Sequence, residues 1–238
     1  MAKIAFLGAG STVFAKSVLG DCLCVDSLRD AQIALIDIDG DRLDVSQKML
    51  TNVNKALGAE AAIEAFDAGD AQKALSGADY VVNAIQVGGY EPGTVIDFEI
   101  PKKYGLRQTI ADTLGIGGIF RALRTIPVML DYCRILEEVA PEALLLNYTN
   151  PMAMLTGAIL KATDIQTVGL CHSVQVCAPH LCGELDLPAD NLQWRIAGIN
   201  HQGWLIEISR NGEDLYPEIK RRATLPEYWP KDTVRFEI

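Results

Sequence analysis

The sequence predicts an α/β protein: a doubly wound parallel β-sheet followed by the opening of a smaller α+β region. Three observations predict it. Short apolar, β-favouring runs alternate with helical patterns from Lys3 to Leu170, a rhythm that implies parallel strands joined by right-handed crossovers. Glycine-rich turns follow the first and fourth of these runs, at the carboxyl edge where such sheets leave room for ligands. From Asn191 the rhythm changes to two strand-like runs, Gln193–Ile199 and Trp204–Ser209, with Asn211-Gly212 as a hairpin-type turn. The boundaries read from this change are 1–190 for the sheet domain and 191–238 for the start of the second region.

Composition narrows the function classes. The chain has 238 residues, 49% of them apolar, and a net charge of −10. Such an acidic chain lacks the cationic footprint of a nucleic-acid binder, and Lys220-Arg221-Arg222 reads as a solvated helix face. No apolar run approaches the roughly 18 residues of a membrane span, and the first residues read as a strand rather than a signal peptide. The six cysteines (22, 24, 133, 171, 177 and 182) have no metal-ribbon spacing. They are expected to be free thiols in a reducing cytoplasm.

Lys3–Leu7 is the first strand, Gly8-Ala9-Gly10-Ser11-Thr12 a turn, and Val13 to about Leu28 a helix. Gln32–Asp39 is a second strand that brings a carboxylate, Asp37, to its end. Gly8 permits the tight turn, Gly10 lets backbone approach a pyrophosphate, and the helix N-terminus offers free N–H groups. The carboxylate can accept ribose hydroxyls and would repel a 2′-phosphate, which favours NAD over NADP. The third glycine of the fingerprint is replaced by Val13, and Asp37 lies further on than the usual 20 or so residues. A plain strand–helix turn is therefore the alternative.

Asp41–Leu57 is an amphipathic helix, Ala62–Phe66 a third strand and Ala71–Leu75 a short helix. Tyr80–Ile85 is a strong strand. Gly88-Gly89 beyond it is either ligand room or an ordinary turn. Pro92–Leu106 is partly helical. Ile110–Phe120, with Gly115, Gly117 and Gly118, reads as a loop because glycines start helices poorly. Arg121–Val139 is a long helix with Pro127 near its start. Ala143–Asn147 is a strand, Pro151 opens the helix Met152–Ala162, and Gln166–Leu170 is the sixth strand, delivering Cys171. Leu215–Ala223 is a late short helix.

Cys171 and His201 stand out as residues that can share a divalent metal, leaving coordination positions for substrate oxygens or water. Against this, a free cysteine is often a small core hydrophobe, and a lone histidine is more often structural. His172 points away from its neighbour's direction, and His180 reads as a surface residue of a helix.

These segments together resemble the NAD- and metal-dependent glycoside hydrolases of family 4, across essentially the whole chain. The resemblance rests on Gly8–Thr12, Leu35–Asp39, Asp112–Gly115 with Gly117-Gly118, Asn147–Met152, Gly169–Ser173 and Gly198–His201. Cys171-His172-Ser173 is similar to the α-galactosidase branch, with related α-glucosidases and α-galacturonidases. The fold implied is of the lactate and malate dehydrogenase type.

By resemblance, Cys171 and His201 are metal ligands, usually for manganese. Gly8, Gly10, Ser11, Thr12, Asp37 and Asn83 belong to the NAD site. Asn150, His172 and Asp112 belong to the substrate site. The implied reaction oxidises sugar C3 with NAD, removes the acidified C2 proton while the metal stabilises the enediolate, and eliminates the aglycone. Water then adds and the ketone is reduced again, so the cofactor is regenerated. Family members are longer, so the chain is expected to be truncated, with the catalytic base beyond Ile238. The expected partner is a small-molecule α-glycoside, and the expected assembly a homo-oligomer. The competing expectations are a non-catalytic NAD-binding domain and a lactate or malate type dehydrogenase.

Overall fold

The computed structural model describes residues 1–108 and 113–228. It forms two compact units, Met1–Leu170 and Cys171–Ile238. In the first, six strands form one parallel sheet: β1 (Lys3–Leu7), β2 (Gln32–Asp37), β3 (Ala62–Asp67), β4 (Tyr80–Asn83), β5 (Leu144–Asn147) and β6 (Thr167–Gly169). Their order is β3-β2-β1-β4-β5-β6. The chain moves outward from β1 first through β2 and then through β4, so the sheet reverses beside β1. This reversal is the crevice where a doubly wound sheet takes a dinucleotide.

The inner strands β1, β2 and β4 are near-continuous apolar runs because both faces are covered, whereas the edge strands β3 and β6 carry no buried residue. Along β1, Ile4 and Phe6 face one layer and Ala5 and Leu7 the other. The first layer is α1 (Thr12–Leu23) and α2 (Gly40–Ala56), which contribute Leu19, Leu23 and Leu50. The second contains α3 (Ala71–Leu75), with α4 (Val95–Lys103) following it in the chain, and α5 (Gly115–Val139), which contributes Met129, Cys133 and Leu136. Each such fully buried large side chain stabilises the fold by roughly 1.5–3 kcal/mol. α6 (Met152–Ala162) joins β5 to β6.

Of the expected loop at 110–120, residues 110–112 lie outside the described residues, and from Gly115 onward it is in fact the first turns of α5. Two features make the glycine start workable. The Gln108 side chain accepts from the Gly117 N–H at 3.2 Å and donates to the Leu114 carbonyl at 3.2 Å, satisfying groups that a helix start leaves open. A Cβ on Gly118 would lie 2.9 Å from the Thr113 backbone, so close packing requires glycine there. Pro127 consequently sits inside α5 rather than near its start. An interior proline costs a helix about 3 kcal/mol, a cost set against the buried face of α5. Pro151 is the N-cap of α6 rather than its first residue, and its peptide bond to Asn150 is cis.

The second unit holds an antiparallel sheet of β7 (Leu192–Ile199), β8 (Gln202–Arg210) and β9 (Glu213–Asp214), with α7 (Ser173–Glu184) and α8 (Tyr216–Ala223). Its start precedes the change of rhythm near residue 190 because α7 packs into this unit's core. Ala178 and Cys182 join Leu185, Leu187, Ile208 and Ile219, and Trp194 Nε1 donates to the Val174 carbonyl at 2.7 Å. The basic run on α8 is only partly a solvated face. Arg222 donates to Glu218 and to the carbonyls of Leu185 and Asp186, tying α8 to the loop after α7.

Candidate functional site

In the first unit the glycine turn is held by backbone. The N–H groups of Gly8 and Ala9 both donate to the Ile36 carbonyl, at 2.9 and 3.0 Å. Gly8 has φ +86°, and a Cβ there would lie 2.7 Å from the Ala84 carbonyl group. The turn therefore packs directly on the chain leaving β4. At Gly10 the crowding comes from Asp37, whose carboxylate oxygen would sit 2.7 Å from a Cβ.

Asp37 is fixed at the sheet's carboxyl edge. Its Oδ2 accepts from the Gly10 N–H at 2.6 Å and its Oδ1 from the Asp39 N–H at 3.0 Å. A carboxylate has about four acceptor sites, so Asp37 keeps capacity for two ribose hydroxyls. Ser11, the N-cap of α1, makes no side-chain cap bond. Thr12 Oγ1 lies 3.2 Å from Ser46 Oγ, and buried Ser46 donates to the Ala9 carbonyl at 2.6 Å. Val13, where a third glycine would stand, is 79% exposed, so its side chain costs the turn no room. A glycine cradle, an anchored acid and an open helix start fit a dinucleotide.

Asn83 plays a different part from a surface contact. It is 0% exposed, as is Asn147 opposite it in the sheet register. Asn83 Nδ2 donates to Asn147 Oδ1 at 2.8 Å, and Asn147 Nδ2 donates to the Thr149 carbonyl and to Thr156 Oγ1. Asn147 Oδ1 also accepts from the Thr149 N–H at 3.1 Å. A buried amide pair satisfied in this way is worth more as a lock than its bond count suggests. Asn150 is half-buried beyond that lock, and its Oδ1 accepts from the Met152 N–H at 3.3 Å. Asp112 lies outside the described residues.

In the second unit Cys171 is half-buried, and its Sγ accepts from the Ser173 N–H at 3.4 Å. His172 is exposed at the N-cap of α7. His201 is exposed in the β7–β8 turn, with φ +63°, a left-handed backbone that non-glycine residues seldom adopt. Beside it in the chain, Asn200 Oδ1 is buried and has no hydrogen-bond partner, an arrangement that costs free energy until a donor or cation meets it. Among the described residues no three His, Cys, Asp or Glu side chains gather as a metal site. The donor set available is thus a thiolate and an imidazole, which suits a borderline first-row metal with open positions. His180, 3.7 Å from Glu184, is a surface residue of α7 as expected.

Several residues that shape these sites carried no local signal. Asp97 and Arg124 pair across 27 positions, and Thr149 Oγ1 reaches the Ile85 carbonyl across 64. Only tertiary structure joins them. Ser46 likewise looks like any polar helix residue until its bond to Ala9 is seen.

A parallel sheet reversing beside a glycine turn, with an anchored acid on the neighbouring strand, defines a dinucleotide-binding α/β protein. The chain matches the family model described as family 4 glycosyl hydrolase over residues 3–187, and that of the family 4 glycosyl hydrolase C-terminal domain over residues 196–238. It belongs to that family.

Among its curated relatives, an alpha-galactosidase of Bacillus subtilis (strain 168) is 59% identical over 239 residues, covering 100% of this chain and 55% of the relative. An alpha-galactosidase of Rhizobium meliloti (strain 1021) is 41% identical over 214 residues, covering 90% and 43%. The chain thus spans about half the length of the curated relatives it matches. Among solved structures, a 6-phospho-alpha-glucosidase from gut microorganisms in complex with NAD and Mn2+ superposes with a TM-score of 0.82 at 23% identity, covering 93% of this chain and 50% of that one. At that identity the likeness establishes the shared fold.

Proposed function

We propose that this chain serves NAD- and metal-dependent cleavage of an α-glycoside, with an α-galactoside as substrate. One observation carries the reading above others: the 59% identity to an alpha-galactosidase that extends over the full length of this chain. The geometry of the glycine turn and Asp37 supports the cofactor half of it, and the donor chemistry of Cys171 and His201 the metal half. When bound, NAD would take up a hydride from the sugar and later return it, and a divalent metal such as manganese would hold sugar oxygens and draw off negative charge.

The chain's own residues divide the work. Asp37 accepts the ribose hydroxyls, and the N–H groups opening α1 behind Gly10, Ser11 and Thr12 receive the pyrophosphate. Asn83 acts from below, through Asn147, on the loop that carries Asn150. Asn150 offers its amide to a sugar hydroxyl. Asp112 and His172 contribute to the sugar site, and Cys171 and His201 are the two protein ligands of the metal. A proton-abstracting group is assigned to no residue of this chain. Six free cysteines suit a reducing cytoplasm, and among the described residues no helix is long and apolar enough to cross a membrane. Association into a homo-oligomer completes the reading.

The chemistry is tested by turnover of an aryl α-galactoside in deuterated water with NAD, manganese and a reductant. Deuterium at C2 of the released sugar is the expected result. Turnover without it would remove the redox-assisted elimination. Net NADH production from a hydroxy acid would favour a dehydrogenase instead, and NAD binding without any turnover would favour a binding domain.

A further inference from the structure

The segment Ala84–Gly89, which leaves β4, is held from three sides. Below it, Gly8 of the glycine turn packs on its first peptide. Its Ile85 carbonyl accepts from Thr149 Oγ1 at 3.0 Å, and its Val87 carbonyl from Arg124 Nε at 3.0 Å. Arg124 is itself immobilised. Its Nη1 and Nη2 donate to Asp97 Oδ1 and Oδ2 at 2.8 and 2.5 Å, and Asp97 is 0% exposed. The bidentate pair holds the guanidinium above its ordinary pKa, through the hydrogen bonds to Asp97 first and the charge second. A Cβ on Gly88, whose φ is +86°, would lie 3.2 Å from Arg124 Nε, so the turn lies close against the guanidinium.

We infer that Arg124 and Thr149 are positioning residues of the dinucleotide site: they fix the Ala84–Gly89 backbone as a preformed wall for the nicotinamide half of NAD. The inference rests on the NAD-binding reading above. The sheet order supplies the polarity. Asp37 ends β2, on one side of β1, and Ala84–Gly89 leaves β4, on the other. A dinucleotide lying across the reversal places its adenosine half with Asp37 and its nicotinamide half over the β4 side. Two carbonyls of one six-residue segment are pinned by side chains from two other elements, α5 and the loop after β5. An ordinary turn needs neither anchor, and burying Asp97 against Arg124 costs desolvation that only a well-made pair offsets. Fixing a wall before ligand arrives removes ordering entropy from binding.

Three variants separate the inference from a role in folding alone. Thr149→Val keeps the shape and removes the hydroxyl, Thr149→Ser restores it, and Arg124→Lys keeps a cation for Asp97 while losing the fork that reaches Val87. Each is titrated calorimetrically with NAD and with 5′-AMP, which occupies only the adenosine half, and its melting temperature is recorded. We expect Thr149→Val and Arg124→Lys to weaken NAD binding by about tenfold, to leave AMP binding within about twofold, and Thr149→Ser to recover NAD affinity. NAD affinity within about twofold of wild type in both variants would overturn the inference while leaving the cofactor reading intact. So would equal weakening of NAD and AMP in step with a fall in melting temperature, which marks a structural role. A wild-type chain that binds neither ligand would overturn the cofactor reading and the inference together.

Discussion

The two units hold their candidate functional groups in opposite ways. In the first, the ligand-facing backbone rests on buried or half-buried polar groups: Asn83 on Asn147, Thr149 on Ile85, Arg124 on Asp97 and Val87, Ser46 on Ala9. β1 is buried along nearly its whole length. In the second, the predicted metal ligands stand in exposed or half-exposed positions beside a thin sheet. β7 and β8 carry few buried residues, and Ile199, Trp204 and Ile206 are exposed. The contrast teaches that a cofactor site built from backbone needs rigid support beneath it. The proposed metal ligands are instead side chains that stand with an outer face open to other ligands.

The comparison can be broken most forcefully at Gly8. Gly8→Ala combines a positive φ with a collision against the β4 exit, and should lower unfolding free energy by about 3 kcal/mol and abolish NAD binding. Denaturant titration and calorimetry check this, and a neutral outcome would mean the turn is not packed as described.

Asn147→Leu should follow, at about 2 kcal/mol, because it strands the Asn83 amide and the Thr149 N–H in the interior. If its unfolding midpoint in urea matched that of the wild type, the buried amide lock would carry no weight. At the opposite pole, Trp204→Gln in the second unit should change stability by no more than about 0.5 kcal/mol, since the ring is 72% exposed. A large loss there would show that the second sheet is covered after all.

The smallest effect concerns α8. Hydrogen bonds from Arg221 first, and then Arg222, lower the Glu218 pKa from 4.5 to about 2. The folded-state value is depressed, so this contribution is present above pH 4.5 and is lost as pH falls toward about 2. An NMR titration of the Glu218 carboxyl should show the depressed midpoint; a midpoint at its ordinary value would remove the arginine clamp from α8.

The centre of the sheet was legible because β1, β2 and β4 are buried on both faces and read as uninterrupted apolar runs, such as Ile33–Ile36. Asp37 was legible because a charged residue ending such a run needs a reason. What stayed hidden depends on distant pairing. The glycine start of α5 reads as a loop until Gln108 is seen to cap it, and Pro127 reads as a boundary until the buried face of α5 is seen to extend past it on both sides. Helix α7 reads as part of the sheet domain because its apolar face gives no indication of which core it enters. Cys171 and His201 were legible as candidates from their donor chemistry, but nothing in the spacing of two isolated residues marks a metal site, and the family resemblance raised them above the structural alternative.

The central claim is that this chain contributes an NAD site and two metal ligands to glycoside cleavage. It is tested most directly by measuring aryl α-galactoside hydrolysis with NAD and manganese supplied together, each alone, and neither, for the wild type and for Cys171→Ser. The account predicts turnover by the wild type only when both are present, and little or none by Cys171→Ser under any condition. Hydrolysis that proceeds equally without NAD and manganese, and is indifferent to the loss of the thiol, would contradict it.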